Sequence, residues 1–131
     1  MIVLDSSVAV SAVLDDGPEG RWALSLTAGQ EVFSPEHLLV ETHNVLRRLE
    51  LAGTDATAVA IARAHLMNLP VELVPFEVVA DRAWDLRSAM TSYDAAYVAL
   101  AELIAAPLAT LDRRLSRAPG AACGLLLPPD A

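Results

Sequence analysis

At 131 residues with 54% hydrophobic content, the chain sets one domain, residues 1–131, with enough apolar material for a full core. A formal net charge of -8 excludes a passive, sequence-independent nucleic-acid coat, which is basic, and the absence of any lysine among the nine basic residues excludes Schiff-base lysine chemistry. Cys123 stands alone, so an internal disulfide and a thiolate zinc site are excluded as well.

The elements follow in order. Ile2-Val3-Leu4 reads as a short buried strand. Ser6 or Ser7 is expected to cap a helix over Val8 to Leu14, which stops near Asp15-Asp16-Gly17-Pro18. Residues 19–28 read as helical and end at Gly29, and Glu31-Val32-Phe33 is a second strand. Ser34-Pro35-Glu36 has the form of a helix start, with a capping serine, proline at the first position and an early acid. That helix is expected to run to about Leu51 and to stop at Gly53. Thr54 or Asp55 caps the next, to about Asn68. Pro70 opens a third strand, Val71 to Val74, and residues 77–90 read as one amphipathic helix. Ser92 is expected to cap a helix over 93–105, and Pro107 to Leu111 is a fourth strand. Arg113 to Arg117 is a short helical turn, and Leu125-Leu126-Leu127 a candidate last strand. Short apolar strands alternating with helices predict an α/β fold. Its parallel sheet of four or five strands is covered by helices on both faces.

No apolar run reaches transmembrane length, because Glu102, Pro107 and Asp112 break the longest candidates. No basic segment precedes the first apolar run, so a signal peptide is not expected and the expected location is cytoplasmic.

Four acids sit against apolar sequence. Asp5 ends the first strand, Asp112 ends the fourth, and Asp94 precedes the run Ala95 to Ala101. Glu41 falls between Leu38 and Val45 at helical spacing, on the inward stripe. Singly, each has a plain reading as a turn, cap or helix-edge residue. Jointly they fit a crevice at the carboxyl ends of parallel strands, where ligands bind in open α/β sheets. Buried carboxylates need a partner, and a cluster of them suits Mg²⁺ or Mn²⁺, hard ions that take oxygen ligands. Such ions activate water and stabilise both oxygens of an in-line phosphoryl displacement, which lets an acidic protein act on nucleic acid. Ser7 and Thr110, each two residues from an aspartate, are candidate supporting hydroxyls. Arg47, Arg48, Arg113, Arg114 and Arg117 are candidate phosphate contacts. His37, His43 and His65 lack common metal-ligand spacing and read as partner-facing or solvated, as do Thr42 and His43 beside Glu41.

The chain resembles the PIN domain, in particular the VapC-type toxins of bacterial toxin–antitoxin pairs. The resemblance rests on Val3-Leu4-Asp5-Ser6-Ser7 and on Glu41 with Asn44-Val45-Leu46-Arg47-Arg48. It also rests on Ser92-Tyr93-Asp94-Ala95-Ala96-Tyr97-Val98-Ala99-Leu100-Ala101-Glu102 and on Ala106 through Leu115. It implies a three-layer α/β/α nuclease, a Mg²⁺- or Mn²⁺-dependent cut in RNA, homodimerisation and inhibition by a cognate antitoxin. Asp5, Glu41, Asp94 and Asp112 would be the catalytic, metal-binding acids, supported by Thr110 and Ser7. Arg113 and Arg114 follow Asp112 where the family often carries further acidic or polar residues, which leaves a second metal site open.

Two phosphotransferase readings fail on residues. A haloacid-dehalogenase-like phosphatase needs Asp-x-Asp, and position 7 is serine; a phospho-receiver domain needs a lysine. An RNA-processing PIN nuclease that is not a toxin, and an inactive PIN-fold binding module, remain as alternatives.

Overall fold

The computed structural model describes residues 1–129. Five strands form one sheet: β1 (Ile2–Leu4), β2 (Val32–Pro35), β3 (Glu72–Val74), β4 (Leu108–Ala109) and β5 (Leu125–Leu126). Their spatial order is β3-β2-β1-β4-β5, and every pair is parallel. Six α-helices connect them: α1 (Ser6–Leu14), α2 (Pro18–Leu26), α3 (Leu38–Leu51), α4 (Ala56–Met67), α5 (Ala80–Asp85) and α6 (Ser92–Leu103). Helices α1 to α4 pack on one another, and α5 packs on α6. Right-handed crossovers place these two groups on opposite faces of the sheet, which gives the expected three layers. No helix among the described residues is long and apolar enough to cross a membrane.

The core is centred on β1 and α6. Ile2, Val3 and Leu4 are buried on both faces, as a central parallel strand requires. Residues 95–101 of α6 are buried on every side, so this helix has no solvent face along that stretch. The register pairs Val3 with Leu108 and Leu4 with Ala109, which sets the ends of β1 and β4 side by side.

Four local expectations are corrected. Asp5, rather than Ser6 or Ser7, caps α1: its carboxylate accepts from the Val8 amide at 3.2 Å. Ser34-Pro35-Glu36 is the end of β2 and not a helix start. Ser34 Oγ donates to the Leu4 carbonyl across the sheet at 2.9 Å, Pro35 pairs with Val74, and the Glu36 amide donates to the Val74 carbonyl. The helix begins at Leu38, after His37. The expected helix over 77–90 breaks into a 3₁₀ turn, Phe76–Val78, the short α5, and turns up to Met90. Arg87 closes α5 by donating to the Trp84 carbonyl while its guanidinium lies 4.6 Å from the Trp84 ring. Thr91 rather than Ser92 caps α6, accepting from the Asp94 amide at 3.2 Å. The candidate strand at 125–127 is present as β5, and Asp55 caps α4 as expected.

Candidate active site

The strand order reverses between β1 and β4. One crossover from β1 leads outward through β2 and the other neighbour, β4, leads the opposite way, so the loops at their carboxyl ends part and leave a crevice. Asp5 and Thr110 stand at that point. The Asp5 carboxylate is nearly fully buried and holds three donors. Ser7 Oγ donates to Oδ1 at 2.5 Å and the Val8 amide to the same oxygen, while Thr110 Oγ1 donates to Oδ2 at 2.5 Å. The same two hydroxyls also accept: Thr110 from the Asp112 amide at 2.9 Å, and Ser7 from the Leu111 amide at 3.0 Å. The loop after β4 is thereby stitched to the start of α1. Burial pushes the Asp5 carboxyl above its ordinary pKa, and the Ser7, Thr110 and Val8 donors pull against that rise.

Asp94 lies in the first turn of α6 and is the electrostatic centre of the four acids. Burial raises its pKa first, then the charges of Asp112 and Glu41, with Arg114 opposing. Asp94 in turn raises Asp5. Glu41 is half-buried on α3, beside the buried stripe Leu38, Thr42 and Leu46. Its Oε1 accepts from Tyr97 Oη at 3.1 Å. Tyr97 is 1% exposed, and burial beside Glu41 pushes its phenol well above the ordinary range, so it stays a donor. Asp112 is held differently. Arg114 grips it with Nε at 3.0 Å and Nη2 at 2.8 Å, and this guanidinium keeps the carboxyl below its ordinary pKa.

The structure therefore places Asp5, Glu41 and Asp112 each within electrostatic reach of Asp94. They do not form a closed ligand cage: among the described residues, no set of three acidic, histidine or cysteine side chains converges closely enough to hold an ion by itself. The donor chemistry nevertheless fits Mg²⁺ or Mn²⁺. All available ligands are oxygens, and Asp94 carries repulsion from two neighbours that a cation relieves. Mg²⁺ keeps several waters and is commonly held by one or two carboxylates plus substrate phosphate.

The candidate arginines do not act as one rim. Arg114 is spent on Asp112, although its side chain is 87% exposed. Arg113 Nη2 donates to the Pro128 carbonyl at 3.3 Å. Arg117 ends the short 3₁₀ helix Arg113–Arg117 and is exposed. Arg47 and Arg48 are exposed on the second half of α3. At 1.5 Å rise per residue they sit about 10 Å along the axis from Glu41.

Tyr97 carries no role in the sequence reading, and the polar residues beside Glu41 take partners within the fold. Tyr97 reads as core in an apolar run, yet a buried tyrosine hydroxyl needs a partner, and Glu41 on α3 and Ser6 at the start of α1 supply it here. Thr42 is fully buried, where exposure was expected, because its hydroxyl folds back on the Leu38 carbonyl at 2.7 Å. His43 is half-buried: its Nδ1 bonds the Leu39 carbonyl at 2.6 Å, and its Nε2 accepts from Arg63 Nε at 3.1 Å at the exposed seam of α3 and α4. His37 packs edge-on to Tyr97, with ring centroids 4.8 Å apart, and tilted to Tyr93 at 5.7 Å. His65 is exposed, as read.

Comparison with known proteins agrees with the fold. The family model described as PIN domain matches residues 2–121. Ribonuclease VapC9 of Mycobacterium tuberculosis is 36% identical over 132 residues, covering 98% of this chain and 99% of that protein. Ribonuclease VapC12 of the same organism is 37% identical over 123 residues, covering 92% and 93%. Among solved structures, VapBC2 of Rickettsia felis, bound to a promoter DNA fragment, superposes with a TM-score of 0.69 at 14% identity, covering 97% of this chain and 98% of that chain. VapC20 of M. tuberculosis, a sarcin–ricin-loop-cleaving toxin, gives 0.66 at 20% identity, covering 89% and 94%. With a five-stranded parallel sheet and curated relatives matched over nearly their whole length, the chain belongs to the PIN-domain family, among its VapC-type members.

Proposed function

We propose that this protein is a metal-dependent endoribonuclease and the toxin of a toxin–antitoxin pair. The observation that carries the reading is the coupling of Asp94 to Asp5, Glu41 and Asp112 at the switch point of the sheet. The ribonuclease names of its relatives support the substrate class, and the VapBC complex supports a cognate antitoxin that restrains it. A homodimer and a cytoplasmic location complete the proposal.

Asp94, with Asp5, Glu41 and Asp112, would hold Mg²⁺ or Mn²⁺. When bound, the ion supplies a Lewis acid that makes water nucleophilic and offsets charge on the phosphodiester. The protein's own groups do the placing. Ser7 and Thr110 fix both oxygens of Asp5, and Tyr97 fixes one oxygen of Glu41 while leaving the other for a ligand. Because Asp94 is half-buried beside two other acids, it holds a proton more readily than a solvated aspartate. Arg114 must release Asp112, in whole or part, for that carboxylate to serve. Its exposed guanidinium is then placed to meet an RNA phosphate.

The test is cleavage of an RNA pool by antitoxin-free protein with Mg²⁺, Mn²⁺ or EDTA, beside Asp94→Asn. Metal-dependent cutting that falls at least about a hundredfold in the variant supports the proposal; even outer-shell changes at metal sites cost ten- to hundredfold. Undiminished cutting by Asp94→Asn sinks it. One observation favours a second reading, an inactive binding module: the bidentate Arg114–Asp112 pair occupies a ligand position. A folded protein that binds RNA and cuts none of it under any metal would establish that reading instead.

A further inference from the structure

A cavity of about 350 Å³ opens beside the acids, between the first half of α3 and the start of α6. Its lining is His37, Val40, Glu41, Asn44 and Tyr93. Three of its properties need explanation. Tyr93 is 63% exposed and Val40 75% exposed, although the same helices carry fully buried faces elsewhere. The Tyr93 ring is nevertheless held, tilted against His37, which is itself wedged against the buried Tyr97. The cavity also shares Glu41 with the acid cluster, and Tyr93 immediately precedes Asp94 in the chain.

These properties describe a wall of two rings and an aliphatic side chain, with one amide and one carboxylate at its margin. No arginine lines it, so a phosphate has no grip there, and the Glu41 charge repels one. A flat, neutral heteroaromatic group fits that chemistry. Single-stranded RNA is recognised by splaying bases onto aromatic side chains and reading their edges with polar groups. Asn44 offers both a donor and an acceptor, which is what a base edge requires.

The charge balance points the same way. Arg82 is paired with Glu102, Arg114 with Asp112, and Arg63 with His43, while Arg87 lies over Trp84. With four of its nine guanidinium groups so engaged and a net charge of -8, the chain has limited phosphate-binding capacity, and the exposed Arg47, Arg48 and Arg117 do not line this cavity. Stacking supplies affinity that does not depend on charge.

We propose that this cavity is a nucleobase subsite, in which the base next to the reacting phosphate stacks on Tyr93 and sets its edge against Asn44. The inference rests on the ribonuclease reading and adds to it a determinant of where the chain is cut. His37 is a positioning residue: it fixes the Tyr93 ring and does not itself meet the base. A guanidinium from a protein partner is the competing occupant, since it is also planar and would meet Glu41.

The test uses the full chain in EDTA and a short single-stranded RNA of mixed sequence carrying 2-aminopurine, whose fluorescence is quenched by stacking. Wild type and Tyr93→Phe are expected to quench the probe to the same extent. Tyr93→Ala is expected to lose the quench and to bind roughly five- to hundredfold more weakly, the range for one lost base–aromatic stack. Asn44→Ala is expected to keep the quench and to change which nucleotide flanks the cut when Mg²⁺ is restored. In the same assay Tyr93→Ala should raise KM and leave kcat nearly unchanged, because stacking is equal in ground and transition states. Circular dichroism confirms that each variant is folded. Unchanged RNA affinity and quench in Tyr93→Ala overturns the subsite and leaves the nuclease reading intact. Weaker binding with an unaltered quench also overturns it, since Tyr93 would then touch RNA without stacking. If the variants lose affinity for a short arginine peptide and keep it for RNA, the cavity is a guanidinium site and the proposal falls. Absence of RNA cleavage by wild type with Mg²⁺, together with normal quenching, removes the nuclease reading and keeps the subsite.

Discussion

Asp94 pays for its position in stability. Its carboxyl is raised by burial and by the Asp112 and Glu41 charges, so the protonated form favours the fold. In metal-free buffer that contribution is full below about pH 4, where the unfolded carboxyl is protonated too. It is lost as pH rises through the folded value. Asp94→Asn, which imitates the neutral form, is expected to melt with wild type near pH 4 and above it at pH 7. The gap should be no more than a few degrees, since solvent screens a half-buried group. Thermal melts across pH in EDTA check this, and a variant that melts lower than wild type at pH 7 contradicts it. Asp112 has the opposite sign: Arg114 holds its pKa down. Removing the guanidinium with Arg114→Ala should return Asp112 toward the ordinary range and strengthen Mn²⁺ binding. An exposed pair of this kind is worth about 0–1 kcal/mol, so calorimetry or Mn²⁺ resonance should show at most about a fivefold gain. A weaker site in Arg114→Ala would mean that the arginine helps to form the site and does not compete for it.

At the scale of elements, the junction of α1 and α2 leaves no room for a side chain at Gly20. A Cβ on Gly20 would lie 1.7 Å from the Asp15 carbonyl oxygen, while the Asp15 carboxylate accepts from the Gly17 and Gly20 amides. Gly20→Ala is expected to cost at least about 2 kcal/mol, within the range for overpacking. Gly124→Ala meets nothing within 4 Å and serves as the control in urea titrations; equal midpoints for the two would refute the clash. This junction shows why some elements were legible and others were not. Ile2-Val3-Leu4 and Ala95 to Ala101 declare themselves because burial on all sides demands uninterrupted apolar residues. Ser34-Pro35-Glu36 misleads because it satisfies every local rule for a helix start, while its actual partners, Leu4 and Val74, are distant in sequence. Residues 77–90 mislead because their apolar periodicity continues past Trp84, where Arg87 takes the carbonyl that ends α5.

For the whole molecule, the strand order β3-β2-β1-β4-β5 brings three acids scattered over more than a hundred residues within electrostatic reach of Asp94. Their chemistry was readable because two of them directly follow apolar strand segments. The ring cluster of His37, Tyr93 and Tyr97 was not, because nothing in either local segment states that α3 and α6 meet there. The overall charge has a measurable outcome. With so few arginines available for phosphate, RNA affinity should fall only gently with salt, with a slope of log affinity against log salt of roughly -2 or shallower. Each phosphate contact on a single strand contributes about -0.7. Fluorescence anisotropy over a salt series gives the slope, and a value near -5 would require an extended basic surface that the arginine placements do not offer.

Asp5 has two occupations: it caps α1 and it belongs to the acid group. Loss of Asp5 would strand the Ser7 and Thr110 hydroxyls and the Val8 amide in a buried turn, whereas a neutral residue at position 94 relieves repulsion. Mutational decay of such a gene, once selection for activity lapses, therefore has a preferred order. Silent copies are expected to shed the aspartate at position 94 early and to keep the one at position 5 for as long as they still fold.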